Sequence, residues 1–495
     1  MRYILERLTQ HAAETPNKPA LVDDTTTLTY EALRAAVVQA SMSLSATRIA
    51  VMMDNSCAWA VIDLAIADRG AIAIPVPPFF TDTQIQHLIA DADPGLIITD
   101  QPERVSMAIG PSAHGQLEVA GRILHIFVRA AATQRPLPPN TCKITYTSGT
   151  TGQPKGVCLS GESMVAVTIS LSDAVQADSA DRSLSLLPLS TLLENIGGIY
   201  APICSGGTAA LPSLVSCGFS GSSAVQPDKL IAAFHRYAPT ATILVPQLLK
   251  LLVECLAAGA VLPTTLRFVA VGGAPCSERL IQRAWKLGLP VHEGYGLSEA
   301  ASVVSLNHLH QQRAGSVGKP LSHVHIRLAD DGEIIVAGQL FVGYLGDDLP
   351  PPGEWPTGDL GRIDADGYLH IVGRKKTAFA TAFGRNVAPE WVESELTADP
   401  AVMQAAVFGE GRACNVAVLV PHPTASREQI DHAVAAANLR LPDYARVHAW
   451  CPAEAAFSPR NGLARTTGAP NRQAIERHYA NSLETLYATE TAHDP

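Results

Sequence analysis

The sequence predicts an α/β fold of parallel-type sheets flanked by helices, followed by a stretch richer in strands. Three observations point there. Apolar residues fill 47% of the 495 positions and charged residues 17%, the composition of a globular chain long enough for more than one domain. Between residues 48 and 99, short apolar runs that read as strands alternate with stretches that read as helices, the rhythm of strand–helix–strand units. From residue 325 the pattern changes to short strands separated by Asp-Gly turns, as in an antiparallel subdomain.

Residues 4–13 read as a helix, and Pro16 and Pro19 mark a turn into a short strand. Residues 27–31 open a second helix, with Thr29 as its N-cap. Residues 48–53 read as a buried strand, 58–68 as a helix, 71–76 as a strand, 84–91 as a helix and 95–99 as a strand. Further on, helices are expected at 162–174 and 247–258, and strands at 183–188, 238–245 and 266–271. Strands at 325–328, 333–336 and 339–342 make up the strand-rich stretch. Near the C-terminus, 401–408 and 414–420 read as strands and 427–437 as a helix.

Charge and cysteine usage exclude several classes. The net charge is -10 and no segment clusters Lys and Arg, which argues against nucleic acid as a partner. None of the nine cysteines forms a Cys-x-x-Cys pair, so neither a zinc site nor a disulfide framework is expected. The first ten residues lack the apolar run of a signal peptide. No run approaches the roughly 18–20 apolar residues of a membrane span. A cytoplasmic location is the expectation, with structural cysteines.

Residues 146–157 (YTSGTTGQPKGV) carry the strongest chemical signal. Five of the twelve are Ser, Thr or Tyr, three are Gly and one is Lys155. Glycines let a backbone approach a ligand closely, hydroxyls and N–H groups donate to phosphate oxygens, and a lysine adds a point charge. This is a phosphate-holding loop, or else a plain Gly/Ser/Thr surface loop. It is not a Walker A loop, because Lys155 lies between Pro154 and Gly156 and no Ser or Thr follows it.

Residues 146–157 resemble the phosphate-binding signature of the adenylate-forming superfamily, which includes acyl-CoA synthetases, firefly-luciferase-like enzymes and the adenylation domains of peptide synthetases. Further stretches match in the order that family has them. The resemblance implies a large N-terminal domain over residues 1–375 and a small mobile α+β domain over 376–495. It implies that Thr147, Ser148, Gly149, Thr150, Thr151, Gly152 and Lys155 hold the phosphates of ATP, with Thr147 and Lys155 in the catalytic set. Residues 291–299 (VHEGYGLSE) resemble the motif that holds adenine and the metal. Gly273, Ala274, Glu293, Gly294, Tyr295, Gly296 and Ser298 are then nucleotide contacts. Tyr295 offers a flat face for the base, Ser298 a donor to the α-phosphate, and Glu299 a hard oxygen ligand for Mg²⁺. Asp359, in 355–361 (WPTGDLG), matches the acceptor for the ribose hydroxyls. In 373–376 (GRKK), Arg374 matches a nucleotide contact and Lys376 the hinge. Gly384 and Asn386 fall in the loop that swings in for the second half-reaction.

The same resemblance places the acyl pocket at Leu192, Glu194, Asn195, Gly198, Gly272 and His292, with Val215 nearby. Where family members often have an aromatic residue or His, this chain has Ser190 and Thr191. Glu194 falls where long-chain acyl-CoA synthetases often carry an acid, although a cap or a core hydrogen bond is the commoner fate of a buried acid. One departure stands out. The family delivers a catalytic lysine from a C-terminal Thr-Gly-Lys-type stretch. Here residues 461–472 (NGLARTTGAPNR) put Ala469 in that place, and no lysine follows Lys376. Arg465 or Arg472 is the candidate substitute.

What the resemblance implies is a ligase that uses ATP and Mg²⁺ to convert a fatty or aromatic carboxylic acid to an acyl-adenylate. The acyl group then passes to a thiol, either CoA or the phosphopantetheine of an acyl- or peptidyl-carrier protein. The alternative is a chain impaired in adenylation that binds nucleotide or acyl-adenylate, or runs only the transfer half, with a nitrogen acceptor open. An unrelated ATPase or kinase fits poorly.

Overall fold

The computed structural model describes residues 1–488 apart from 111, 130–134, 148–153, 221–223, 348–352, 383–384 and 466–467, and the side chains of Ala113, Thr147, Ala224 and Asn386. Two sheets build a large N-terminal domain. The first runs 343–344, 155–160, 141–147, 72–75, 48–52, 96–99, 122–128, 113–119 across its eight strands. The second has nine, in the order 319–320, 302–306, 291–297, 268–271, 241–244, 182–184, 208–210, 19–22, 27–29. The expected strand–helix rhythm is present: Arg48–Met52 pairs in parallel with Ile72–Pro75 and with Leu96–Thr99.

Helix Cys57–Arg69 shows how sequence becomes layer. Ser56 caps it by accepting from the Trp59 N–H, and Gly70 ends it at φ 71°. It is buried over every residue from Cys57 to Ile66, because apolar side chains surround it instead of forming a stripe. Its core takes in Ile49 and Val157 from one sheet and Leu21 and Val303 from the other. The helix is therefore a layer between the two sheets.

Inside that layer lies a polar knot. Lys143 Nζ donates to Asp63 Oδ1 at 2.8 Å, Asn195 Oδ1 at 2.5 Å and Tyr200 Oη at 2.9 Å. Tyr200 also donates to Asp63. All three donors of the ammonium are satisfied, which is what permits a lysine only 3% exposed to remain in a core. The knot ties helix Cys57–Arg69 to strand Thr141–Thr147 and to the helical segment 192–200.

Several elements differ from the sequence expectation. The strand expected over 183–188 is only Arg182–Leu184, since Pro188 has no N–H for a ladder and the chain turns at Thr191, whose N–H bonds Pro188 O. The strand expected over 339–342 is absent: Phe341 N–H donates to Glu299 O and Val342 N–H to Cys158 O. The short strand Gly343–Tyr344 follows instead, paired with Val157 and Cys158. The hairpin Ala113–Val119/Arg122–Val128 and the π-helical turn Ile196–Tyr200 had no clear sequence signal.

The antiparallel subdomain has strands Val324–Leu328, Glu333–Gly338, Glu354–Ile363 and Leu369–Arg374. Beyond it a smaller domain packs cores of its own around strands Val402–Phe408, Asn415–Pro421 and Val447–Pro452. Lys250, on helix Pro246–Ala257 of the large domain, reaches across to the small one. Its ammonium donates to Thr397 O at 2.7 Å, Asp399 O at 3.2 Å and Val402 O at 2.7 Å. Among the described residues no helix is long and apolar enough to cross a membrane.

Candidate active site

Strands Phe268–Val271 and Val291–Leu297 run side by side, with Val271 opposite Glu293, so the residues that follow them meet at one sheet edge. The backbones there nearly touch: a Cβ on Gly272 would stand 3.0 Å from Gly294 O, and one on Gly296 only 1.7 Å from Ser302 O. Glycine is the residue that fits at both. Tyr295 follows Gly294 and donates its phenol to Asp359 Oδ2 at 2.6 Å. Arg374 Nε lies 2.9 Å from Asp359 Oδ1, a consequence of Asp359 and Arg374 being paired across adjacent strands. Burial and the Asp359 carboxylate push the Tyr295 phenol well above its ordinary range, so it stays a donor. Tyr295, Asp359 and Arg374 thus converge, although they come from three strands and two sheets.

Strands Thr141–Thr147 and Lys155–Ser160 pair up to Thr147 opposite Lys155, which fixes where the candidate phosphate loop leaves and rejoins the sheet. Ser148, Gly149, Thr150, Thr151 and Gly152 lie outside the described residues, as does the side chain of Thr147. His87 Nε2 lies 3.1 Å from Pro154 O, at the downstream end of that loop. Lys155 is exposed, with Nζ 5.6 Å from the centre of the Tyr344 ring. Tyr344 in turn donates to Glu299 Oε1 at 2.8 Å. The lysine and the candidate metal ligand are therefore joined through a tyrosine that sequence reasoning missed. Its signal was faint, because Tyr344 follows the stretch read wrongly as a strand. Among the described residues no three His, Cys, Asp or Glu side chains cluster as a metal centre. Glu299 fits Mg²⁺ as a single carboxylate, leaving water and phosphate oxygens to fill the shell.

A cavity of about 390 Å³ opens from Tyr295–Ser298 into the domain. Leu192, Glu194, Gly198 and Gly272 are among its walls, with Leu171, Ile243 and Phe268. Three residues expected there stand elsewhere. Asn195 is drawn inward, accepting from Lys143 and donating to Asp63 Oδ2 at 3.2 Å. His292 stacks behind the wall on Phe268, ring centres 4.3 Å apart, where burial lowers its pKa to about 4. Val215 is exposed. Glu194 does not meet the usual fate of a buried acid: it caps nothing, and neither carboxyl oxygen has a hydrogen-bond partner among the described residues. Burial pushes it up to about 8, a rise softened by the nearby Ser185 hydroxyl and Leu187 N–H, although neither stands in hydrogen-bond geometry to the carboxyl. Glu293, next to the glycine strand, is likewise pushed up to about 8 by burial. Ala274 is exposed in the loop beyond Gly273. A wider cavity of about 490 Å³, lined by Glu254, Asp399, His422 and His432, shares no residue with this one.

The AMP-binding enzyme family profile matches residues 8–345. The chain belongs to that family. The profile of the AMP-binding enzyme C-terminal domain matches residues 378–491. This AMP-binding enzyme is 26% identical to the long-chain-fatty-acid–CoA ligase FadD15 of Mycobacterium bovis, over 90% of this chain and 88% of that protein. It is 28% identical to a feruloyl-CoA synthase of an Amycolatopsis species, over 81% and 84%. Its fold is similar to that of the anthranilate CoA ligase AuaEII in complex with anthranoyl-AMP, with a TM-score of 0.79, 18% identity and 96% of each chain covered.

In the small domain of this AMP-binding enzyme, residues 466–467 of the stretch where a lysine was expected lie outside the described residues, and the residues on either side of them close on one another. Ala464 and Pro470 bridge, Arg465 N–H bonds Ala469 O at 2.7 Å, and Ala469 is exposed. Arg472 is already engaged: it donates to both oxygens of Glu393, to Val407 O at 3.1 Å and to Glu390 at 3.4 Å. Of the two arginines considered as lysine substitutes, Arg472 is thus committed to the small domain's own packing, while Arg465 directly precedes residues 466–467. Lys376 is exposed in the turn after strand Leu369–Arg374. Gly384 and the Asn386 side chain lie outside the described residues.

Proposed function

We propose that this AMP-binding enzyme is an AMP-forming acid ligase acting on fatty or aromatic carboxylic acids. One observation carries the reading. The Tyr295–Asp359–Arg374 cluster and the mouth of a deep apolar cavity share one strand, Val291–Leu297, and Glu299, joined to Lys155 through Tyr344, follows it directly. A nucleotide held by the first group and an acid held in the cavity would meet beside Ser298 and Glu299. Asp359 would accept from the ribose hydroxyls, Arg374 and Lys155 would counter phosphate charge, and Glu299 would hold Mg²⁺, whose charge offsets that of the phosphates. The acid carboxylate would displace pyrophosphate from ATP to give an acyl-adenylate. A thiol, of CoA or of a carrier protein, would then take the acyl group and release AMP. Neither half needs a protein nucleophile, so positioning and charge stabilisation do the chemistry. The relatives' printed activities support the acid–CoA form.

Ala469 supports a second reading, in which adenylation is slow or lost and the chain binds nucleotide or acyl-adenylate, or runs only the transfer, with a thiol or a nitrogen acceptor. Loss of one such transition-state contact typically costs about 10²–10³ in rate. We place the division between the domains at residues 375 and 376, with Lys376 at the hinge.

Acid-dependent ATP–pyrophosphate exchange with fatty, aryl and amino acids tests both readings. Exchange with one class establishes the ligase and its substrate class. Absence of exchange, alongside measurable ATP binding and an increase in Ala469→Lys, establishes the impaired form.

A further inference from the structure

Glu194 is 1% exposed, lines the cavity, and has no hydrogen-bond partner on either carboxyl oxygen among the described residues. Ser185 Oγ, close by, has none either. Both groups sit over Gly198: a Cβ there would fall 2.7 Å from Glu194 Oε1 and 2.5 Å from Ser185 Oγ. Gly198 thus leaves the carboxyl room at the cavity wall that any other residue would take. Buried polar groups in folded proteins are nearly always paired, because an unpaired one is costly. Much of the surrounding wall is apolar, with Leu171, Leu192, Ile243 and Phe268, and the hydroxyls of Ser183, Thr191 and Thr242 that also line it donate to the backbone carbonyls of Gly198, Pro188 and Leu184. The missing partner therefore has to arrive with whatever fills the cavity. A plain hydrocarbon tail would leave the carboxyl as unpaired as before.

We propose that Glu194 is a specificity-determining residue that selects carboxylic acids whose apolar body carries a neutral hydrogen-bond donor, an aryl amine or a hydroxyl, facing this wall. The inference rests on the acid-ligase reading above and narrows its substrate class. Burial holds the carboxyl mostly protonated at neutral pH. A protonated carboxyl both accepts and donates, which suits a hydroxyl or aryl amine. An ammonium ion would have to ionise it and form a buried ion pair, whose desolvation cost opposes its attraction.

Calorimetric titration of the full chain, with AMP present at neutral pH, tests this with matched acids. The pairs are 4-hydroxybenzoate or 4-aminobenzoate against 4-methylbenzoate, and 8-hydroxyoctanoate against nonanoate. In the wild type at least one donor-bearing acid binds about ten- to a hundredfold more tightly than its methyl isostere. The preference survives in part in Glu194→Gln, which keeps a donor and an acceptor, and falls to threefold or less in Glu194→Leu. Equal binding of donor and isostere in the wild type overturns the proposal, and so does an unchanged preference in Glu194→Leu. If Glu194→Leu does not fold, the ratio in Glu194→Gln decides: a value identical to the wild type's for every pair overturns it. Tighter binding of 8-aminooctanoate than of 8-hydroxyoctanoate overturns the neutral-donor form. ATP–pyrophosphate exchange with the same acids separates the two levels. Donor-selective binding without exchange sustains Glu194 as the selector and sinks the ligase reading. Exchange without donor selectivity does the reverse, and no binding of any acid overturns both.

Discussion

Asp359 is held from two sides, by the Tyr295 phenol and the Arg374 guanidinium, and is itself buried. Replacing it with Ala removes the acceptor and leaves the Tyr295 hydroxyl buried without one. We expect AMP affinity, measured by calorimetry, to fall about ten- to a hundredfold, and less in Asp359→Asn, which keeps one acceptor oxygen. Glu194 gives a second prediction, on stability. Its folded pKa of about 8 lies above the ordinary carboxyl value of 4.5. Folded and unfolded chains are both protonated there below pH 4.5, so the site costs least in acid. Between 4.5 and 8 the unfolded chain alone gives up the proton, and stability from this group declines as pH rises, by a few kcal/mol at about 1.4 kcal/mol per pKa unit. Glu293 adds to the same trend. Glu194→Gln removes one of the two contributions, so its melting temperature should gain on the wild type's steadily from pH 5 to pH 8.5. A constant offset across that range would refute the buried-acid account. At this scale the sequence told residue types more clearly than partners. Tyr295, Glu299 and Asp359 were recognisable from short motifs. Tyr344, His87 and Lys143 were not, because each owes its role to a neighbour far away in the chain.

The element scale is where local sequence spoke best and where its limits were clearest. The hydroxyl cap read at Thr29 is present, accepting from Ala32 N–H, whereas the reciprocal capping box of Thr81 and Gln84 went unread and its helix begins at Asp82, two residues before the expected start. Strands buried on both faces were readable too, as unbroken apolar runs. Residues 339–342 misled because an apolar run signals burial, not pairing, and Phe341 and Val342 bury their side chains or spend their N–H groups without joining a sheet ladder. The hairpin Val291–Leu297/Ser302–Leu306 yields a sharp test. Gly296 lies at its irregular register, where a Cβ would meet Ser302 O at 1.7 Å. Gly296→Ala must push the two strands apart, and with them Tyr295 and Glu299. We expect a loss of about 1–3 kcal/mol in chemical denaturation and a larger proportional loss of nucleotide binding. Gly110→Ala is the control, since a Cβ there meets nothing within 4 Å, although its φ of 73° carries a backbone cost of its own.

Across the whole molecule, the parallel-type sheets with their helices, the strand-rich subdomain and the small domain were legible from composition and rhythm together with the family resemblance, while the burial of helix Cys57–Arg69 as a layer between two sheets was not. Nor was the way the domains touch. Lys250 reads as an ordinary polar position on an amphipathic helix, yet its ammonium carries the contact between them. Burial pulls its pKa down to about 8, against the opposing pull of Glu254 and Asp399. Arg279 and Asp399 add a longer pair at 4.0 Å. Lys250→Met should loosen the small domain at a cost on the order of 1–3 kcal/mol. Small-angle scattering should show a larger radius of gyration, and limited proteolysis faster cleavage between residues 376 and 388. If neither changes, other contacts hold the domains. Ala469→Lys should raise ATP–pyrophosphate exchange about 10²-fold if residue 469 reaches the nucleotide.

The three acceptors around Lys250 are main-chain carbonyls, and that has a genetic consequence. Every amino acid has the same carbonyl, so no side-chain replacement at Thr397, Asp399 or Val402 deletes an acceptor. Variation that tunes the Lys250 grip is therefore one-sided: it is concentrated at that codon in the large domain, while the face it grips, apart from the Asp399 carboxylate that meets Arg279, can drift in sequence and still be held.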